Sequence, residues 1–306
     1  MRPKNVHDTE HTRIVDAPPR VLYELLADVT AWPALFGPSV HVRHLERSER
    51  SERFEIWALV NEKVASWTSR RELDPDELRI AFAQERSSAP VRTMSGEWSL
   101  RELPGGRTEV SLRHTFTAVD DSPEAVRTIT AALRRNSPRE LSDLARVAEL
   151  GLPVGDVVLS FTDDVELPVP VDRAYEFIAR ADRWAELLPH VRSVRLGEDE
   201  PGIQDLRMAT ETGDGARHET RSVRVCEPAE WIAYKQLRPP MMLTGHSGLW
   251  SFEPVAAGTL LTSRHTIVLG PAAVVDGSSA AETGRRVRDA LRRNSRTTMA
   301  AIAERP

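Results

Sequence analysis

The chain of 306 residues has one cysteine, Cys226. A single thiol excludes an intrachain disulfide and a cysteine-based zinc site, and it predicts a reducing, cytoplasmic setting. No run approaches the ~18 apolar residues of a membrane-spanning helix. Residues 1–7 carry no apolar segment of a secretion signal, so no membrane partner is predicted. Charge of one sign is scarce as well. Lys and Arg number 41 against 46 Asp and Glu, a formal net charge of −5, and this argues against the basic surface of a nucleic-acid binder. Arg134-Arg135 and Arg292-Arg293 sit on predicted helices, where short pairs read as solvated faces.

Several motifs are absent. No Gly-x-Gly-x-x-Gly or Walker-type loop offers a phosphate cradle. No Gly-x-Ser-x-Gly elbow offers a serine nucleophile. No His-x-x-x-His lies on a predicted helix, so no metal is predicted. Gly245-His246-Ser247-Gly248 precedes a predicted strand and lacks the strand-to-helix setting of a nucleophile.

What is present is a repeat. Val165-Glu166-Leu167-Pro168 through Phe177-Ile178 echoes Ile14-Val15-Asp16-Ala17 through Leu25-Leu26. Ser247-Gly248-Leu249-Trp250-Ser251 echoes Ser95-Gly96-Glu97-Trp98-Ser99, 152 residues earlier. Leu291-Arg292-Arg293-Asn294-Ser295 repeats Leu133-Arg134-Arg135-Asn136-Ser137, 158 residues earlier. Solenoid units run about 20–50 residues, so this period marks a duplicated domain. Residues 1–152 and 158–306 are the expected domains, with 153–157 as linker. Halves of this size can bury their own cores.

Each copy reads alike. Residues 10–16 form a short strand, and Arg20 to Asp28 places Val21, Leu22, Leu25 and Leu26 on one helical face. Strand-like segments follow at 40–47, 52–60, 63–73, 77–86, 93–102 and 107–117. Turns at Asp74-Pro75-Asp76 and Pro104-Gly105-Gly106 separate some of them. Ser122-Pro123-Glu124 opens a long amphipathic helix to Leu150, disturbed at Pro138. The second copy repeats this with a strand at 158–167, a helix at 171–180, a meander over 191–269 and a helix over 280–304. An antiparallel sheet covered on one face by a helix is an α+β layer architecture. A curved sheet around a long helix leaves a cavity suited to a small molecule.

Strand parity places the candidate residues. Side chains alternate faces, so Trp67, Ser69, Arg71 and Leu73 share one face, and Trp and Leu mark it as inward. A buried arginine needs an internal acid or a ligand, and both readings stand. Val110, Leu112, His114 and Phe116 share another inward face. His114 is either a hydrogen-bonded core residue or an acid–base group in its natural titration range. Trp98 lines the same interior, and Trp32 and Phe36 sit on the loop that precedes the meander.

Trp67-Thr68-Ser69-Arg70-Arg71, with Trp32-Pro33-Ala34-Leu35-Phe36 before it and Trp98 after it, resembles the aromatase/cyclases of bacterial type II polyketide synthases. The duplication resembles the two-domain members. The resemblance implies two tandem helix-grip domains of the START/Bet v1-like superfamily and an enzyme without cofactor. Its substrate would be a ketoreduced poly-β-ketone chain on an acyl carrier protein, alongside other synthase subunits. It implies first-ring C7–C12 closure and dehydrative aromatisation. Arg71 would stabilise a developing enolate or departing hydroxyl, and Ser69 would position the chain. Trp67, Trp98, Trp32 and Phe36 would shape the cavity. Single-domain relatives can carry a tyrosine after the Trp-Pro segment, where this chain has Gly37-Pro38-Ser39. His114 is therefore the acid–base candidate on physical grounds.

Mapped onto the second copy, Ser69 becomes Ser222, Arg71 becomes Arg224, His114 becomes His265, Trp32 becomes Trp184 and Trp67 becomes Thr220. With Tyr234, these residues outline a second pocket or a structural partner. The expectation is catalysis weighted to the first copy. The rival reading is a binding or transport protein for an apolar ligand.

Overall fold

In this computed structural model, residues 5–211, 217–239, 242–273 and 279–304 are described. The chain divides into two compact units, Met1–Val154 and Gly155–Pro306.

In the first unit the strands are β1 (His7–Val15), β2 (Ser39–Arg47), β3 (Ser51–Val60), β4 (Lys63–Asp74), β5 (Arg79–Arg86), β6 (Val91–Leu103) and β7 (Arg107–Ala118). They form one antiparallel sheet in the order β1-β7-β6-β5-β4-β3-β2. Six strands meander, and β1 returns beside the last of them. Helices α1 (Pro19–Ala27) and α2 (Trp32–Leu35) join β1 to the meander. Pro33 separates α1 from the meander without itself being non-helical. It sits in the first turn of α2, where its missing N–H costs nothing.

Helix α3 (Pro123–Ala148) closes the unit. Its N-cap is Ser122, whose hydroxyl accepts from Ala125 N at 3.1 Å, and Pro123 occupies the first turn. Ile129, Leu141 and Leu144 are buried along it. The predicted disturbance at Pro138 does not end the helix. Pro138 lies inside it and is exposed, so its ring faces solvent.

In the second unit, α4 (Val154–Val157) precedes β8 (Val158–Leu167), α5 (Val171–Ala179) and α6 (Trp184–Leu187). Strands β9 (Val191–Glu200), β10 (Ile203–Glu211), β11 (Arg217–Glu227), β12 (Trp231–Gln236), β13 (Leu243–Val255) and β14 (Gly258–Leu269) follow. Helix α7 (Ala280–Ala303) comes last. The sheet order is β8-β14-β13-β12-β11-β10-β9, the first sheet repeated.

Small devices recur in both copies. Thr108 Oγ1 donates to Ala17 O, and Thr259 Oγ1 donates to Val169 O, each at 2.7 Å and buried. Each bond pins the start of the last strand to the turn after the first. Gly96 on β6 lies under the Phe82 ring, and Gly248 on β13 lies under the Tyr234 ring; a Cβ at either position would overlap that ring. Among the described residues, no helix is long and apolar enough to cross a membrane.

Pro138 leaves the carbonyl of Arg134 without its helical donor. Pro138→Ala should therefore stabilise the protein by about 1–3 kcal/mol, read as a raised urea midpoint with an unchanged slope.

Candidate active site

Sheet and helix of the first unit enclose a cavity of about 240 Å³. Its deep wall is aromatic. Phe36 stacks on Trp98 with centroids 6.3 Å apart, and Trp32 meets Phe36 edge-on at 5.4 Å. Trp67 lines the cavity beside Phe54 and Ile56. Lining residues Asn61, Ser88, Ala89 and Thr128 are solvent-exposed, whereas Phe36, Phe54, Trp98 and Leu112 are buried. The cavity therefore opens between the β3–β4 turn, the β5–β6 loop and the first half of α3. Arg135 donates to Asn61 Oδ1 across this mouth.

Arg71 points inward from β4, as strand parity predicts, and it is 1 % exposed. It meets an internal acid. Register places Glu52 directly opposite on β3. Arg71 Nε donates to Glu52 Oε1 at 2.8 Å, and an Nη2 contact to the same oxygen is 2.6 Å. The two remaining amino groups donate to Leu26 O and Ala27 O at 2.8 and 2.7 Å. The guanidinium also lies over Trp32 at 5.0 Å and Phe54 at 5.6 Å. Burial works against its charge and Glu52 opposes that effect. A guanidinium carries five N–H donors, so these contacts leave one unengaged. Ser69 lines the cavity next to it, with no side-chain hydrogen bond among the described residues.

His114 lines the opposite wall, its ring edge-on to Phe82 at 5.4 Å. Its Nδ1 is buried without a partner. Burial first, and then His11, lowers its pKa to about 4. The imidazole is neutral at pH 7.

Glu140 was not singled out from the sequence. It lines the cavity from α3 and has no hydrogen-bond partner among the described residues. Burial, and to a smaller extent Asp143, raises its pKa to about 8. The usable signal was spacing: Thr128, Ala132, Asn136 and Glu140 recur every four residues and all line the cavity. A neutral carboxylic acid and a neutral imidazole thus share one apolar chamber. Environments that push two titratable groups apart mark acid and base assignments.

The loop that lacks a tyrosine has a physical reason. Gly37 N donates to Asp143 Oδ2 of α3 at 2.8 Å, and a Cβ there would crowd the Arg139 guanidinium.

The second copy keeps the skeleton and changes the chemistry. Arg224 is 2 % exposed and donates to Ile178 O at 2.6 Å and Ala179 O at 3.4 Å, with Trp184 at 5.5 Å. Its register partner is Gln204, where the first copy has Glu52, and it makes no ion pair among the described residues. Ser222 is buried beside it in sequence. His265 has both nitrogens engaged. Nδ1 meets Tyr234 Oη and His246 Nε2 at 3.0 Å each, and Nε2 meets Ser295 Oγ at 2.8 Å. Burial lowers the His265 pKa to about 4 and pushes His246 down as well. Glu140 maps to Thr298, so this copy has no counterpart acid.

Glu140 has a stability cost with a definite sign. Its folded pKa lies above its unfolded value, so its favourable contribution is lost as pH rises from about 4.5 through about 8. Glu140→Gln should stabilise the protein at pH 9 by on the order of a few kcal/mol, and the gain should vanish near pH 4. Thermal melts of both proteins across that range are the check.

Known proteins share the two-domain fold. Residues 15–136 match a family model described as polyketide cyclase / dehydrase and lipid transport, and residues 158–305 match a second with the same description. The granaticin polyketide synthase bifunctional cyclase/dehydratase of Streptomyces violaceoruber is 50 % identical, over 98 % of this chain and 94 % of the relative. The actinorhodin polyketide synthase bifunctional cyclase/dehydratase of Streptomyces coelicolor is 44 % identical, over 96 % and 95 %. Among solved structures, the di-domain ARO/CYC BexL of the BE-7585A pathway superposes with a TM-score of 0.79 at 42 % identity, covering 97 % of this chain and 98 % of that one. The di-domain ARO/CYC StfQ of the steffimycin pathway gives 0.78 at 32 % identity, covering 97 % of each. With both halves matched and the relatives spanned almost end to end, the chain belongs to the polyketide cyclase/dehydrase family and, within it, to the two-domain aromatase/cyclases.

Proposed function

We propose that this enzyme closes the first ring of a ketoreduced poly-β-ketone chain, between C7 and C12, and aromatises it by loss of water. The chain arrives on an acyl carrier protein, in the cytoplasm, with the other subunits of a type II synthase. The observation that carries this reading is the pairing of neutral Glu140 with neutral His114 in one apolar cavity. A simple carrier of apolar ligands has no use for an acid and a base held in complementary states.

Each step follows from those states. His114 removes a proton from the carbon between two oxygenated carbons. The enolate oxygen is met by the Ser69 hydroxyl and the last free N–H of Arg71, an oxyanion-type contact. Carbon–carbon closure consumes the enolate as its carbon attacks the facing carbonyl, and the alkoxide so formed takes the proton back from the His114 imidazolium. In the dehydration, His114 removes the proton of the neighbouring carbon, a carbon–carbon double bond forms, and the C–O bond breaks as Glu140 delivers its proton to the departing hydroxyl, which leaves as water; the imidazolium proton then returns to Glu140 through solvent. Closure and dehydration are redox-neutral, so they require proton transfers and no electron acceptor. Trp32, Phe36, Trp67 and Trp98 hold the chain folded and exclude water.

Turnover is assigned to the first copy. The second copy commits both nitrogens of His265 to its own core. Its Arg224, Ser222 and Tyr234 serve packing there, and the unit acts as a structural partner.

A reconstituted minimal synthase with a ketoreductase tests this. Addition of the wild-type protein should shift products to the aromatised first ring. His114→Asn and Glu140→Gln should each lower that flux at least about a hundredfold, the usual loss for a direct proton-transfer group. Unchanged flux and product ratios in both variants would sink the assignment. The pH profile of kcat/KM should be bell-shaped, with limbs near 4 and 8. The alkaline limb should disappear from the residual activity of Glu140→Gln.

A further inference from the structure

The acid that pairs with Arg71 has a second partner. Glu52 turns one oxygen to the guanidinium: Nε donates to Oε1 at 2.8 Å, and the Nη2 contact at 2.6 Å goes to the same atom. The other oxygen, Oε2, lies 2.9 Å from His44 Nε2. A carboxylate paired with a cation can only accept, so His44 donates. The Glu52 side chain is 1 % exposed and that of His44 is 22 % exposed. The histidine thus reaches from the surface to a buried ion pair. Among the described residues, Arg71 lines the cavity and His44 does not.

Local geometry aims the ring. His44 is on β2, an edge strand, directly opposite Phe54 of β3. Glu52 is therefore its diagonal neighbour, within reach of a long side chain. The register shifts between His44 and Glu46, and a bulge of this kind re-aims the side chains beside it. The ring stands edge-on to Phe54 at 6.4 Å, and Phe54 in turn faces the Arg71 guanidinium at 5.6 Å. His44, Glu52, Phe54 and Arg71 form one packed group on three neighbouring strands.

The second copy serves as a control. Each 152 residues on, it has Gln204 for Glu52, Leu196 for His44 and Leu206 for Phe54. Leu196 is the register partner of Leu206, and pairing runs unbroken from Met208 to Gln204, so the bulge beside His44 has no counterpart there. Arg224 nevertheless keeps its carbonyl partners at the end of α5. An arginine at this place therefore ties helix to sheet without acid or histidine. Glu52, His44 and the bulge occur together, in the copy whose arginine lines a described cavity, and what they add is control of the guanidinium.

We propose that His44 is a positioning residue for the arginine that meets the enolate. This rests on that reading of Arg71. By holding Oε2, His44 keeps the carboxylate turned so that Nε and Nη2 converge on Oε1. Nη2 gives its second N–H to Ala27 O, and Nη1 gives one to Leu26 O. The unengaged N–H is therefore the second one of Nη1. Without His44, Oε2 would be buried with no donor, and the carboxylate would swing into the two-pronged arrangement favoured by guanidinium and carboxylate. The guanidinium would turn with it, and a carboxylate no longer shared would neutralise more of its charge. Both changes weaken the contact to a developing enolate oxygen. His44 does not touch the substrate, and no proton changes place.

The full chain is assayed with the minimal synthase and ketoreductase as His44→Leu, the second copy's residue, and as His44→Gln, whose amide Nε2 can donate as the imidazole does. His44→Leu should lower kcat about tenfold, short of the hundredfold or more of a lost oxyanion donor. KM for the carrier-bound chain should stay within about twofold. His44→Gln should recover most of the lost rate, as restoration of the donor alone requires. Glu52→Gln removes the carboxylate through which His44 acts, so adding His44→Leu to it should change kcat by less than about twofold. That pair carries the second copy's residues and decides the question even where His44→Leu alone does not fold. A wild-type kcat in His44→Leu, a His44→Gln as slow as His44→Leu, or a loss that persists undiminished on the Glu52→Gln background overturns the proposal. Ser69→Ala and Arg71→Lys run in parallel separate the two claims. If both keep the wild-type kcat, the enolate contact is wrong; if they lose it while His44→Leu does not, only the positioning role fails.

Discussion

The Arg71–Glu52 ion pair holds the first unit together. Both side chains are shut away from water, and an unpaired charge there would be prohibitive. The guanidinium spans two layers: its carboxylate partner is on β3, and its carbonyl partners end α1. The carbonyl end of a helix carries partial negative charge, so the cation suits its place twice over. Trp32 and Phe54 cover the guanidinium face, and these rings also shape the cavity wall. Helix, sheet and pocket floor therefore share one fixed point.

The second copy shows which parts of that point are separable. Arg224 keeps the carbonyls of Ile178 and Ala179 and the tryptophan beneath it. It exchanges the carboxylate for Gln204, whose amide instead donates to Glu198 at 2.9 Å and to Ala179 O at 3.4 Å. The skeletal role of the arginine thus survives without the acid. Where the second unit joins His246, Tyr234 and Ser295 to His265 by hydrogen bonds, the first unit has Met94, Phe82 and Ser137, which line its cavity. Duplication preserved the frame and changed the polar groups inside it.

Much of this was legible along the chain. Alternation located every strand of the first sheet within a few residues, and it set Arg71, Ser69 and His114 facing inward. Parity reports a face and is silent on neighbours. Glu52 became visible only once register set β3 against β4, so whether Arg71 met an acid or a ligand could not be read in one dimension. Glu140 escaped for another reason. On a long amphipathic helix a glutamate reads as solvent-facing, and only the curvature of the sheet turns that stripe toward a cavity. Pro138 misled because a proline constrains its own turn, whereas the burial of Leu141 and Leu144 carries the helix past it.

Both units bury histidines that are neutral when folded, and the first unit adds a buried acid. Glu140 is neutral when folded and loses its favourable contribution as pH rises from about 4.5 through about 8. His246 and His265 are also neutral when folded, but as bases, and their contribution is lost as pH falls below about 6.5, toward about 4 for His265. Acid therefore strains both units, through His114 in the first and His246 and His265 in the second, whereas Glu140 adds a strain at alkaline pH to the first. The half that holds the chamber is thus pressed from both ends of the pH scale, and the range over which it is most stable should be narrow.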